Sequence, residues 1–503
     1  MNRTRAAILA ALSLLTIGSF VATGGYAWYL RSDAYRGECS ASLSESLGMP
    51  AEIGRVVPRS LNSREFQDIT VWLPDRRAKV HHCDRALLRY EPTPGDRDAY
   101  EIELIGGVSE ISTRTWLRQD YRGVLESGLK PGLSEGGPSL VRFSAMALTF
   151  EREQFRARLS RAAGTIDFRD SDRAAARITC DEFNGYPCPE PVRLAADFTE
   201  TPGGVRIDRL ELRVPDLPLS ILHLEDLAGT RLDDGRFDGV LTYEEPDGAR
   251  RFTVAGHCRA LDLRQVTAGW MERPWAGRCP EIELQELRVE NRVPTRLRFR
   301  GSVADLAVRD VLATWGIDGG SGVASLEVGE ADLSPDAIHR FTASGACVDV
   351  DLESLSAALG YGKVSGRLRI RIDDLTIVEN RLVSLAATVA VVDAPEDAPN
   401  WVEGRLLREL VRAAIKIQLP PILPTRIEYT RLGLRLEVHD EVLHVFGTHG
   451  EREKTILTVR LAGQEIPLVH EPARSFDLKP WLDDLRRRLF ELRDRMGPPA
   501  PTP

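Results

Sequence analysis

The chain has 503 residues, 43% hydrophobic and 28% charged, the profile of a folded protein with room for two or three domains or one body of stacked repeats. Its formal net charge of −9 is spread along the chain rather than blocked. That argues against a nucleic-acid surface and implies solubility rather than a basic partner.

Arg3 and Arg5 precede 25 uncharged positions, Ala6 to Leu30, enough to cross a hydrocarbon core of about 30 Å as a helix. Tyr26 and Trp28 close the run where an aromatic belt sits, and the two arginines favour a cytoplasmic N-terminus. Two readings stand. One is a transmembrane anchor over 6–30 behind a cytoplasmic stub of 1–5. The other is a signal peptide cleaved near Gly25-Tyr26-Ala27. The run exceeds the usual apolar stretch of a signal peptide, which favours the anchor.

Residues 31–198 read as a β region. A short helix over Ser40–Leu47 is stopped by Gly48 and Pro50, and strands follow at Ala51–Val57, Ile69–Leu73, Tyr100–Ile105 and Val141–Phe150. Ser127–Ser139, rich in Gly, Ser and Pro, reads as a loop, and 154–198 as strands joined by turns. Seven cysteines follow the apolar run. An exported chain can oxidise them, and the odd count leaves one thiol over. Cys180 and Cys188 flank a turn-rich stretch suited to a small disulfide loop; their spacing is not a CxxC motif.

Residues 199–400 hold a repeat. The segments Phe252–Gly256, Leu297–Gly301 and Phe341–Gly345 recur at intervals of 45 and 44 residues, and 21 residues after each first glycine comes a second, at Gly277, Gly322 and Gly366. Between them an apolar pattern alternates and then steps by three and four, which predicts a strand ending in a helix of about two turns, then a turn and a longer strand. Val266 and Trp270, Val311 and Trp315, and Leu355 and Leu359 are the expected packing positions of those helices. A less regular copy precedes them, with Leu217–Leu227 as connector and Gly235–Gly239 opening its second strand. Cys258 and Cys279 each sit two residues after a glycine; they are read either as a disulfide between neighbouring strands or as two buried thiols.

Residues 401–474 predict a helix over Trp401–Gln418, ended by a proline-rich stretch, and a hairpin of Leu434–Val438 and Val442–Phe446 around His439-Asp440-Glu441. Residues 475–503 predict an amphipathic helix, Leu478–Met496, and a disordered tail. Trp481, Leu485 and Leu489 lie opposite a run of arginines, a face that suits packing on its own domain, a partner protein or an anionic membrane surface.

No motif for catalysis or nucleotide binding is present, so the chain is not expected to be an enzyme, and no metal or cofactor is implied. His81, His82 and Cys83 are adjacent, so on a strand they point to alternate faces; His439, His444 and His449 step by five and do not converge. One unit of the repeat cannot bury its own apolar face, so the units stack. A curled, unclosed sheet then lines a trough with Phe252, Val254, Ile282, Leu284, Leu297, Phe299, Leu326, Val328, Phe341, Leu368 and Ile370; the alternative is that helices or a second sheet cover them.

These features resemble the AsmA-like family of bacterial bridge-type lipid transfer proteins. The resemblance rests on the N-terminal apolar segment followed by the helix ending Leu47-Gly48-Met49-Pro50, the strands Ala51–Val56 and Phe66–Leu73, the repeated strand-helix-strand with its Gly-x-Leu openings, and the segment Tyr429–Val438. It implies a mainly β fold with short helices: an N-terminal transmembrane helix, an elongated, curled antiparallel or mixed β-repeat body forming a groove, and helices near the C-terminus. It also implies a single-pass protein of the bacterial inner membrane, held through residues 6–30 with its bulk periplasmic. Phospholipid or another envelope lipid would be bound or conducted along the groove in outer-membrane biogenesis. Catalytic residues are absent from the family pattern. A non-catalytic scaffold for envelope assembly proteins is the alternative, and the helix at 401–418 and the modest length depart from the pattern.

Overall fold

The computed structural model describes residues 25–60, 62–75, 78–91, 99–112, 138–152, 155–168, 173–201, 204–222, 232–244, 251–268, 273–290, 293–314, 317, 319–358, 362–392, 399–408, 424–461 and 463–479. These are mainly β, an open mixed sheet with few short helices, and they divide into two compact units. Most of the expected membrane span, 6–24, lies outside the described residues; residues 25–29 are helical. Among the described residues no helix is long and apolar enough to cross a membrane.

In the first unit, helix α1 (Asp33–Leu47) begins seven residues before the sequence reading. Ser32 caps it by accepting the Tyr35 N–H, Asp33 suits the positive end of the helix, and Gly48 ends it in the left-handed conformation at φ 64°. The helix lies along strand β1 (Ala51–Ser60). Ser40 Oγ and Ser44 Oγ accept the N–H groups of Ile53 and Ala51 at 3.2 and 2.8 Å, and Arg36 donates to Gly54 O at 3.3 Å. Serines four apart on a helix face match alternate residues of an extended strand. Three side chains thus satisfy strand groups that would otherwise recruit another chain.

The unit continues through β2 (Ser63–Trp72), β3 (Lys79–Glu91), β4 (Ala99–Ser112), β5 (Pro138–Arg152), β6 (Phe155–Asp167), β7 (Arg173–Phe183), β8 (Tyr186–Thr201) and β9 (Gly204–Pro218). Each pairs antiparallel with the next except β4 and β5, which run parallel. Leu30, Tyr35, Ile53, Val56, Ile69, Cys83 and Ala86 form a buried cluster beneath α1, with Leu43 and Leu104 against it.

Strand β10 (Arg236–Glu244) divides between the units. The second unit then runs β11 (Arg251–Asp262), α2 (Leu263–Ala268), β12 (Arg278–Glu290), β13 (Val293–Ala307), α3 (Val308–Thr314), β14 (Val323–Leu333), β15 (Ile338–Asp351), α4 (Leu352–Ala358), β16 (Arg367–Val378) and β17 (Arg381–Val391). The sequence period is a structural one. The first N–H of each helix donates to the second glycine of its unit: Leu263 to Gly277 O, Val308 to Gly322 O and Leu352 to Gly366 O, at 3.0–3.1 Å. Leu219 repeats the bond to Gly235 O in the less regular copy. A polar side chain two residues into each helix accepts from the loop of the preceding unit. Gln265 Oε1 takes the N–H groups of Asp233 and Asp234, Asp310 Oδ2 that of Ala276, and Ser354 Oγ that of Gly320. Each unit is therefore tied to its neighbour at the same place, as stacked repeats require.

The first glycine of each unit marks a bulge. Gly256, Gly301 and Gly345 have φ of 152–154°, and a Cβ on them would meet a carbonyl oxygen of the adjacent strand at 2.3, 2.4 and 2.1 Å. Four residues on, Ala260, Asp305 and Asp349 are left-handed at φ 55–56°. The register shifts beside every one of those glycines. Bulges bend strands and increase their twist, so the repeat carries its own cause of curling.

The unit ends with β18 (Trp401–Glu403), β19 (Arg426–His439), β20 (Val442–Gly447), β21 (Thr455–Leu461), β22 (Gln464–His470) and β23 (Phe476–Asp477). The helix expected over 401–418 is corrected at its start. Trp401–Glu403 is a strand on β19, with Trp401 under the Arg426 guanidinium at 4.1 Å, and helix is confined to residues 404–408 of the described part. The Asp440-Glu441 turn joins β19 to β20 with both φ positive, the form that suits the twist of a tight hairpin. The expected terminal helix, with Trp481, Leu485 and Leu489, lies outside the described residues.

Candidate apolar binding face

Alternation along the strands of the second unit separates apolar from charged residues, and the register carries that separation from strand to strand. Val254 pairs with Leu287, Leu287 with Leu297, and Leu297 with Leu333. Leu284 pairs with Phe299, Phe299 with Ala331, Ala331 with Phe341 and Phe341 with Ile377. A third row runs Ile282, Gly301, Val328, Ala343, Leu375, Leu385, Val438, Leu443, and a fourth Cys347, Ile370, Val389, Leu434. Leu326 pairs with Gly345, Leu368 with Val350, and Phe252 with Val289. Each bulge adds one residue to one strand, which keeps the rows apolar across nine strands, β11–β17 with β19 and β20.

The structure therefore brings all eleven sequence-predicted groove residues into one apolar face. Val254, Val328 and Leu368 are buried, at 8, 5 and 6% exposure. Phe252, Ile282, Leu284, Leu297, Phe299, Leu326, Phe341 and Ile370 are only half-buried. Side chains of this kind in a closed two-layer core are covered from both sides. Here the described residues do not close over them. The rows hold no ionisable side chain apart from the Cys347 thiol and that of Cys258, which pairs with Ile282. The opposite face is charged and paired: Arg251 with Glu290 at 3.0 Å, Arg300 with Glu283, and Arg298 and Arg296 with Asp332.

The face ends against a closed core of Val402, Leu406, Leu407, Ile427, Tyr429, Leu457 and Val459, with Val391 packed on it. The helix positions Val266, Val311 and Leu355 are half-buried, while Trp270, Trp315 and Leu359 lie outside the described residues.

The first unit carries a similar face that the sequence reading missed. One row runs Leu88, Ile102, Val141, Ile166, Ala176, Ala196, Leu210 and another Leu104, Phe143, Gly164, Ile178, Leu194, Leu212. Ile102, Val141, Ile166, Leu194, Leu210 and Leu212 are half-buried. The available signal was the alternation of Tyr100–Ile105 and Val141–Phe143, which no repeated glycine flagged as part of one surface.

All seven cysteines are free thiols, so neither expected disulfide is formed. Register explains it. Cys258 faces Ile282 while Cys279 faces Leu261, and Cys180 faces Val192 beside a register shift that displaces Cys188. Burial pushes the Cys258 thiol up to about 11 and those of Cys279 and Cys180 up to about 12. His81, His82 and Cys83 do separate: burial brings His81 down to about 4, His82 reaches Thr70 Oγ1 at 3.2 Å, and Cys83 is fully buried. Among the described residues no group of three or more His, Cys, Asp or Glu is placed to hold a metal ion. No family model, curated protein or solved structure matches the chain.

Proposed function

We propose that this chain binds lipid along its apolar sheet face, as a protein of the bacterial envelope anchored in the inner membrane by residues 6–30 with its bulk in the periplasm. The observation that carries the reading is the continuous, uncharged and half-exposed face of the second unit, whose rows cross nine strands. Water held against such a surface is displaced favourably by an acyl chain, at about 0.8 kcal/mol per methylene buried. An open strip several strands wide suits an extended hydrocarbon chain better than a compact small molecule. Phospholipid is the envelope ligand that offers such chains, and the AsmA-like resemblance points to its movement between membranes.

The test is mass spectrometry of lipid carried by the full chain after purification in a detergent with no acyl chain of its own. Near-stoichiometric phospholipid is the expected result. A stable chain carrying none would overturn the reading.

A further inference from the structure

On the charged face of the second unit, away from the lipid rows, lies a cavity of about 580 Å³ lined by Arg288, Thr295, Arg296, Asp332, Ser334, His339 and Glu379, among others. Three of these form a chain of hydrogen bonds. Ser334 Oγ lies 3.1 Å from His339 Nε2, and His339 Nδ1 lies 3.2 Å from Glu379 Oε1. With its proton on Nδ1, the ring donates to the carboxylate and leaves Nε2 to accept from the serine. That is the order of nucleophile, base and orienting carboxylate in a serine hydrolase triad, recognised by geometry and roles rather than by chain order.

The backbone fixes all three positions. Ser334 opens the turn between β14 and β15, where its Oγ accepts the Ala337 N–H at 3.2 Å. That leaves the hydroxyl proton directed to His339, a shorter contact than the 3.4 Å to Ala337 O. Glu379 and Asn380, at φ 47° and 61°, form the tight turn between β16 and β17, and their N–H groups donate to His339 O and Ile338 O. Asn380 Oδ1 accepts the Ile338 N–H at 2.8 Å, so the turn that carries the carboxylate is latched to the strand that carries the base. Arg288 lines the same cavity, and its buried Nε has no hydrogen-bond partner. Glu286 pairs with the Arg288 Nη2, and the free Nε is a cationic N–H of the kind that a developing oxyanion needs.

We propose that Ser334, His339 and Glu379 form a second, hydrolytic site, acting on a short-chain carboxylic ester small enough for this polar cavity. Ser334 Oγ attacks the ester carbonyl while its proton passes to His339 Nε2. The tetrahedral oxyanion is met by Arg288, and the C–O bond to the alcohol breaks as that oxygen takes the proton from His339. Water then attacks the acyl-Ser334 ester, giving a proton to Nε2, which returns it to Ser334 Oγ as the carboxylic acid leaves. Glu379 accepts from His339 Nδ1 throughout and orients the ring.

The test uses the purified full chain with an alkyl fluorophosphonate and p-nitrophenyl acetate. The expected result is one phosphonyl adduct on the peptide carrying Ser334, and adduct formation and ester hydrolysis both slower by about 10²-fold in His339→Gln. Glu379→Gln should fall in between. Because Ser334 Oγ also caps its turn, Ser334→Ala is read only beside a thermal melt, and the two glutamine variants keep the test independent of it. An absent Ser334 adduct, or one whose rate is unchanged in His339→Gln, overturns the proposal.

Discussion

Replacing Gly301 by alanine probes the device on which the apolar face depends. The residue sits at φ 154°, where an L side chain is strained by about 1–3 kcal/mol. The added Cβ would also lie 2.4 Å from Glu281 O and 2.8 Å from Ile282 Cα, both backbone atoms of a paired strand. Since backbone cannot rotate aside, β12 and β13 must part locally, an overpacking cost of about 1–3 kcal/mol. The expected loss is about 3–4 kcal/mol, or roughly 1.5–2 M in urea midpoint at a slope near 2 kcal/mol per M, followed by tryptophan fluorescence. Gly185 provides the control: at φ 81° with nothing within 4 Å of the position a Cβ would take, its alanine variant carries strain without the clash and should lose about 1 kcal/mol. Equal losses at the two positions would refute the argument that close strand approach requires the repeated glycine.

Asp310→Ala removes the acceptor of the Ala276 N–H and should cost about 1–3 kcal/mol, with hydrogen exchange at Ala276 rising before that of β12; unchanged exchange there would remove the inter-unit tie. Asp332 is held below the usual carboxylate range by its hydrogen bond to Arg296. A depressed folded-state value stabilises above the ordinary Asp value and is lost as pH falls through the folded one. Acid melts of Asp332→Asn should therefore converge with those of the parent at low pH and fall below them at neutral pH, and parallel curves would contradict the assignment. Because burial raises Cys258, Cys279 and Cys180, titration of the native chain with a thiol reagent at neutral pH should be slow at these three sites. Without reductant all seven thiols should react in denaturant, and fewer than seven would show that a bridge forms.

What was legible in the sequence follows from which features have a local cause. The glycines at 256, 301 and 345 stood out because a bulge tolerates nothing larger, so their period is that of the fold. Strict alternation likewise placed Ile282, Leu284, Leu368 and Ile370 on one face. Features set by pairing between distant segments were hidden. The parallel pairing of β4 with β5, the strand at Trp401–Glu403 and the offset of Cys258 from Cys279 depend on partners or registers that no local pattern specifies. The early start of α1 was missed because its pattern is barely amphipathic and its reason is the edge of β1. Glu379 meets His339 across 40 residues through a turn latch, and neither residue carries a motif.

Under the proposed reading, one face of the repeat sheet meets lipid and the other does not. A photoreactive phenylalanine analogue placed in the full chain at Phe299 and Phe341, and separately at the polar-face positions Ser325 and Thr342, tests this directly in membranes. Lipid crosslinks at Phe299 and Phe341 with none at Ser325 and Thr342 are the predicted result. Crosslinks at both faces, or only to protein at the apolar positions, would contradict the account.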